Sequence, residues 1–199
     1  MKRVLTPLAP LLLIAALSPH ARPAAGQGVA DRAAEESAVY AAAIAKLFAG
    51  NKVAFDTQDP VELLVIKERA AKDFTRRHED VWDRKFFDES PEALSDFREQ
   101  NREPGTINKS LRLPIKHLLL GEADFELAMR DGWEGFFKRH PKSGGWVALS
   151  RVGFNREMTQ ALVYFEHGCG GLCGSGIYLL LEKGEAGWKV AKVLRAWIS

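Results

Sequence analysis

From residue 146 to residue 199 the hydrophobic pattern has a period of two, interrupted at short intervals by turn chemistry, and this restricts the fold more than any other feature. Four strands are expected, over Trp146–Phe154, Gln160–His167, Ile177–Lys183 and Trp188–Ile198. Asn155-Arg156-Glu157 joins the first pair, a glycine-rich run the second, and Gly184-Glu185-Ala186-Gly187 the third. Connections this short join antiparallel neighbours, so the expectation is a β-meander. Along the second strand Ala161, Val163 and Phe165 alternate with Gln160, Tyr164 and Glu166, which predicts one buried and one wetter face.

Upstream, the apolar period lengthens to that of a helix. Asp31 is placed to cap a helix carrying Tyr40, Ile44, Leu47 and Phe48 on one side, ended by Gly50 and Asn51. After a turn over Asp56–Pro60, Val61–Ile66 is short, branched and apolar, the mark of a buried strand. Residues 68–87 are charge-dense with scattered aromatics and read as a surface helix. Ser90-Pro91 starts a further helix with Leu94 and Phe97 on its apolar edge, the serine hydroxyl accepting an early N–H, and Asn101–Gly105 ends it. Leu111, Leu113, Ile115, His117 and Leu119 alternate around Pro114, as in an edge strand or a bulge. Phe125 to Phe137 marks one helix or two broken at Gly132, stopping before Pro141. The fold class is α+β: N-terminal and middle helices packed on a C-terminal antiparallel meander, in one domain over residues 27–199.

The first 26 residues stand apart. Lys2 and Arg3 form a positive n-region, Leu8–Leu17 an apolar stretch, and Ala24, Ala25 and Gly26 a small-residue cleavage site, the order of a secretory signal peptide. Pro10 interrupts the apolar run and Ser18, Pro19 and His20 end it, too early for a spanning helix of ~20 residues. The location expected is secreted or periplasmic, with no transmembrane segment after cleavage. Cleavage also removes three of the 28 Lys and Arg, leaving 25 against 26 Asp and Glu. The faint basicity of the whole chain therefore lies in the leader, and a nucleic-acid partner is not expected.

His167-Gly168-Cys169-Gly170-Gly171-Leu172-Cys173-Gly174-Ser175-Gly176 holds five of the 17 glycines and both cysteines. In an exported chain, two cysteines four positions apart are expected to form a disulfide, Cys169–Cys173, pinning the loop. Three other readings compete. A catalytic redox pair prefers C-x-x-C at a helix N-terminus, whereas these flanks are strands. A metal site of Cys169, Cys173 and His167 is one ligand short of structural zinc, so no metal is assigned. A dinucleotide cradle needs a helix after the glycines and is rejected, which leaves an anion nest of backbone N–H groups as the remaining possibility. No cofactor is called for.

Elsewhere, His78-Glu79-Asp80 with Asp83 reads as a charged helix face. His117 lies among leucines on a strand, and Arg151 sits mid-strand where a carboxylate or anionic ligand would suit it. No Ser-His-Asp arrangement can be assembled. The leading expectation is a non-enzymatic binding or interaction domain for an unknown small-molecule or protein ligand. The alternative is a small periplasmic hydrolase or transferase with His117, Arg151, Tyr164 and His167 as polar groups of a pocket in the sheet. Whether the protein is an enzyme is left open by the residues.

The runs Ser150–Asn155, Gln160–Tyr164, Cys169–Gly174, Tyr178–Lys183 and Gly187–Val190, with the ending Trp197-Ile198-Ser199, resemble a family of uncharacterised secreted bacterial proteins. The likeness covers residues 146–199, with Leu63–Lys67 and Trp133–Pro141 more loosely. It implies export from a bacterial cell and transfers no catalytic residue. The layering of helices on an antiparallel sheet is also similar to cystatin-like and nuclear-transport-factor-like domains, an analogy of architecture that carries no function. Export is expected to remove about the first 26 residues. Intact mass of protein from the extracytoplasmic fraction checks this, and mature material that retains Met1–Gly26 refutes it.

Overall fold

Leu64-Val65-Ile66 is apolar on both sides of its backbone, as a strand covered on both faces must be. The computed structural model describes residues 25–48, 61–71 and 81–199, and there this run forms β1 (Leu64–Lys67), with Leu64, Val65 and Ile66 all buried. The helices are α1 (Ala25–Phe48), α2 (Val81–Phe87), α3 (Pro91–Gln100), α4 (Glu122–Met129) and α5 (Gly132–Arg139). The remaining strands are β2 (His117–Leu120), β3 (Trp146–Leu149), β4 (Gly153–Phe154), β5 (Gln160–Gly170), β6 (Cys173–Gly184) and β7 (Gly187–Ile198). Among the described residues these seven strands form one sheet in the order β2-β1-β3-β5-β6-β7, with β4 beside β5. The α+β class is observed.

β3, β5, β6 and β7 pair antiparallel as a meander. β1 departs from that scheme, lying parallel to both β2 and β3. The connection from β2 back to β3 runs through α4 and α5, the helical crossover that parallel strands require. The sheet is therefore mixed.

Both faces are covered. On one, Val39, Tyr40, Ala43, Ile44 and Leu47 of α1 pack on Ile66, Val147, Leu149, Val163, Phe165 and Leu179. On the other, Phe86, Phe87, Ala93 and Phe97 of α2 and α3 meet Leu162, Tyr164, Tyr178 and Leu180. Beside them Ala128 and Phe136 of α4 and α5 cover Val65 and Leu120. Tyr164 is wholly buried and its ring lies 4.7 Å from that of Tyr178, so the face expected to be wetter is a second core.

Several local expectations are corrected. α1 begins at Ala25, so Asp31 lies within the helix rather than capping it. Of the leader, residues 1–24 lie outside the described residues, as do the turn at Asp56–Pro60 and the group His78-Glu79-Asp80. The stretch 68–87 is not one helix, since Arg69 makes an antiparallel bridge to Thr106; α2 covers Val81–Phe87, and residues 72–80 lie outside the described residues. Pro114 keeps the preceding residues out of the sheet, so β2 starts at His117. The Ser90 hydroxyl donates to Gln160 Oε1 at 2.9 Å instead of capping α3, whose entry is held by Pro91 and by the Ser90 carbonyl accepting from Leu94 N–H at 3.0 Å. The helix pair does break at Gly132, where φ is +65°.

The expected strand Trp146–Phe154 is two strands: Ser150 N–H still donates to the Tyr164 carbonyl at 2.9 Å, but Arg151 and Val152 leave the ladder and the segment turns to other partners. Tyr40 donates to the Ser150 carbonyl at 2.7 Å, Arg151 N–H to Asn101 Oδ1 at 2.8 Å, and Asn101 Nδ2 to the Arg151 carbonyl at 3.0 Å. The Arg151 guanidinium donates to Glu36 Oε1 at 2.9 and 3.2 Å. Arg32 donates to Asp96 Oδ2 at 2.7 Å and to the Val152 carbonyl at 2.8 Å. The carboxylate that an arginine in this position calls for is thus Glu36, itself only 4% exposed.

α3 lies directly on Gly153, where an added Cβ would overlap the Ala93 carbonyl oxygen and the Phe97 backbone nitrogen, while the same addition at Gly171 meets nothing within 4 Å. Gly153→Ala is expected to destabilise the fold by about 1–3 kcal/mol through displacement of α3, and Gly171→Ala to leave stability nearly unchanged. Denaturant unfolding of the two variants checks the contrast.

Candidate functional site

The side chains singled out from the sequence do not share one place. His117 is at the start of β2, paired with Leu64, and its Nδ1 lies 3.3 Å from the Ile115 carbonyl. Arg151 is engaged with Glu36 at the gap between β3 and β4. Tyr164 is in the core under α3, where its hydroxyl accepts from Trp197 Nε1 at 2.7 Å, and burial pushes its pKa far up. His167 points to the opposite face, near the Phe48 ring of α1. Its Nε2 is 2.9 Å from the Gly144 carbonyl, and burial holds its pKa below the usual histidine value although that carbonyl pulls the other way. None of the four lines the cleft at Lys67 and Glu166, the groove along α3 or the cleft at Asp96 and Phe154.

The glycine-rich loop is explained by packing. β5 runs on to Gly170 and β6 starts at Cys173, so Gly171-Leu172 alone makes the turn and no helix follows the glycines. Cys169 and Cys173 stand at disulfide distance with Cα atoms 5.0 Å apart, and Cys169 Sγ lies 3.6 Å from His167 Nδ1. The Trp146 ring covers Gly168, where a Cβ would come within 2.6 Å of it; at Gly176 a Cβ would overlap Trp197 Nε1 and the Tyr164 hydroxyl. These glycines make room for two indole rings. Among the described residues, no group of three or more His, Cys, Asp or Glu is placed to hold a metal ion.

A different place gathers unsatisfied polarity. The register aligns Leu120 with Lys67 on β1, and Ala148 on β3 with Glu166 on β5. β1 and β3 pair at Ile66 and Val147, so Lys67, Ala148 and Glu166 form one row across the sheet, with the alanine in the middle. The row lies on the face where α2 and α3 cover one half and α4 and α5 the other, and at the seam the helices leave a cleft of about 300 Å³. The cleft lies beyond the carboxyl ends of the parallel strands β1 and β2, the usual ligand position in sheets with parallel crossovers. Ala148 forms its floor, Ala71 and Phe125 its sides, and the pair Arg69–Glu122, 2.9 Å apart, its rim. A wider groove of about 920 Å³ along α3 begins at the same Arg69 and includes Arg98 and Arg102.

Lys67 Nζ sits between two rings, 4.2 Å from the Phe125 centroid and 4.6 Å from that of Trp146. Trp146 and Phe125 meet edge to face at 5.7 Å, so one ring pair both lines the seam and holds the ammonium. Glu166 is partly buried and makes no hydrogen bond or salt bridge among the described residues. Burial raises its pKa above the usual 4.5, and the positive charge of Lys67 offsets this only in part. Reading from sequence missed both residues. Their signal was a charge at the end of one buried strand and another inside the next, which becomes a site only once β1 and β3 are known to be neighbours.

The chain matches no protein-family model, no curated protein and no solved structure. Its fold and the seam are therefore the basis for assigning a class of protein: an α+β domain with a small cleft between two helical covers of one sheet face.

Because the folded state holds the Glu166 proton more tightly than the unfolded chain, rising pH costs stability. The loss begins near the unfolded pKa and is complete above the folded one. Glu166→Gln is therefore expected to raise Tm at about pH 7 and to make no difference below about pH 4, where both states carry the proton. Calorimetric melting of both proteins across that range checks the sign, and a difference that does not vary with pH refutes it.

Proposed function

We propose that the protein is an exported, non-enzymatic binding protein that takes a small polar molecule in the cleft between the helical layers. The observation that carries this reading is the pair of opposite charges on the cleft floor, Lys67 and Glu166, neither of which has an ionic partner among the described residues. Burial of the Glu166 carboxylate is offset only in part by Lys67, which destabilises the fold, and a ligand that supplies further partners would recover that energy. The volume, about 300 Å³, suits a small molecule rather than a peptide side. The described lining residues include no Ser, Cys, His or Tyr beside the carboxylate, and the Lys67 ammonium is turned onto two aromatic rings, which favours binding over hydrolysis or group transfer.

Export is supported by the leader pattern of residues 1–26, by the resemblance of residues 146–199 to secreted bacterial proteins, and by a cysteine pair at disulfide distance. No helix among the described residues is long and apolar enough to cross a membrane.

Thermal-shift screening of the mature protein against a broad set of small polar metabolites tests the binding reading. A ligand at 100 times its Kd should add about 2.7 kcal/mol of stability. Ala148→Leu, which fills the floor between Lys67 and Glu166, should abolish that shift. Shifts that survive in Ala148→Leu, or no shift with any compound, would refute the cleft as the binding site.

A further inference from the structure

We infer that the cleft selects a compact zwitterion of the α-amino acid class, its ammonium on Glu166 and its carboxylate on Lys67. The inference rests on the binding reading above and adds the chemistry of the ligand.

The floor carries one charge of each sign. Lys67 and Glu166 are two strand spacings apart across Ala148, which sets their Cα atoms roughly 9.5 Å from each other. Both side chains are long enough to close that gap, yet they do not pair: the Lys67 ammonium leans onto the rings of Phe125 and Trp146, and the Glu166 carboxylate has no donor among the described residues. A ligand with a single negative charge would leave Glu166 without a partner and add repulsion. A ligand with a single positive charge would satisfy Glu166 but face Lys67 with no counter-charge. A zwitterion whose two charges are separated by one carbon answers both, because each end meets the opposite sign over the small Ala148 side chain. Ring faces supply attraction to the ammonium of Lys67 without occupying it as a carboxylate would, which leaves its N–H donors available to the ligand.

The ligand's side chain then has an apolar surface to lie on. Leu120, Phe125 and Ala71 line the cleft around the charged row. Arg69 and Glu122 are already paired at the rim and are more than half exposed, so they guard the entrance rather than select the ligand. The ligand would therefore be recognised through its main-chain charges first and its apolar side chain second.

Isothermal titration with matched probes tests this. L-leucine and L-phenylalanine are compared with their deaminated acids, 4-methylpentanoate and 3-phenylpropanoate, and with their decarboxylated amines, isopentylamine and phenethylamine. At least one amino acid is expected to bind about tenfold or more tighter than either of its single-charge analogues. Glu166→Gln should bring the amino acid down to the affinity of its deaminated acid, and Lys67→Met should bring it down to that of its amine. Glu166→Gln removes a destabilising charge and should remain folded, so its result stands even if Lys67→Met unfolds; Lys67→Arg then serves as the charge-retaining control. Equal affinity of an amino acid and one of its analogues, no effect of Glu166→Gln, or no binding of any probe would overturn the inference. If the metabolite screen has meanwhile given a ligand sensitive to Ala148→Leu, the cleft remains the binding site and only the zwitterion assignment falls.

Discussion

The Glu36–Arg151 ion pair is the contact on which the layered arrangement depends. It connects α1, on one face of the sheet, to the break between β3 and β4; Arg32 continues from α1 to Asp96 of α3, on the other face. Asp96 also accepts from Phe154 N–H at 2.7 Å, so the three layers share one network. Burial alone would weaken the charge of Arg151, but the hydrogen bond and charge of Glu36 outweigh it and raise its pKa. The Tyr40 hydroxyl, buried beside Glu36, is pushed well up and stays a donor to Ser150. Removing one partner of such a pair leaves a buried charge and typically costs about 3–5 kcal/mol, whereas the intact pair adds little net stability. What it contributes is position: it fixes where α1 and α3 sit relative to the break.

Position matters because the cleft is a seam. α2 and α3 cover one half of a sheet face and α4 and α5 the other, and among the described residues the row between them opens into the cleft. Gly153 lets α3 come down onto the sheet, and Gly168 lets Trp146 lie flat enough to face both Phe125 and Lys67. Gly153 thus sets the approach of α3, and Gly168 the placement of the ring that holds Lys67, without taking part in the chemistry of the site.

Much of the fold was legible in the residues. The period of two after Trp146 specified the meander, Ser90-Pro91 placed the start of α3, and Gly132 marked the break between α4 and α5. The parallel strands were not legible, because β1 and β2 are four residues each and carry no mark of which strand they join. Their pairing is decided by the crossovers between them. The error about Tyr164 has the same origin: its alternation with Val163 implies two faces, but whether the second face is wet depends on α2 and α3 arriving there. The site followed the sheet order. His117, Arg151, Tyr164 and His167 were polar residues in apolar company, a local signal, and each turned out to be satisfied locally. Lys67 and Glu166 lie 99 positions apart in the chain and meet only through the register of β1, β3 and β5.

That difference separates the polarity answered within the fold from the polarity on which the proposed site rests. Arg151 is half-buried and charged, yet Glu36 pairs with its guanidinium and Asn101 with its backbone, so its presence is accounted for by the fold. Glu166 is also buried in part, its pKa is raised rather than lowered, and no donor among the described residues reaches it. A core built for stability alone would place leucine or valine there, next to Phe165 and opposite Ala148, at no loss of packing. Retaining a carboxylate at a net energetic penalty, on the floor of a cleft and one strand away from an ammonium held by aromatic rings, is the arrangement expected where an external group completes the balance of charge.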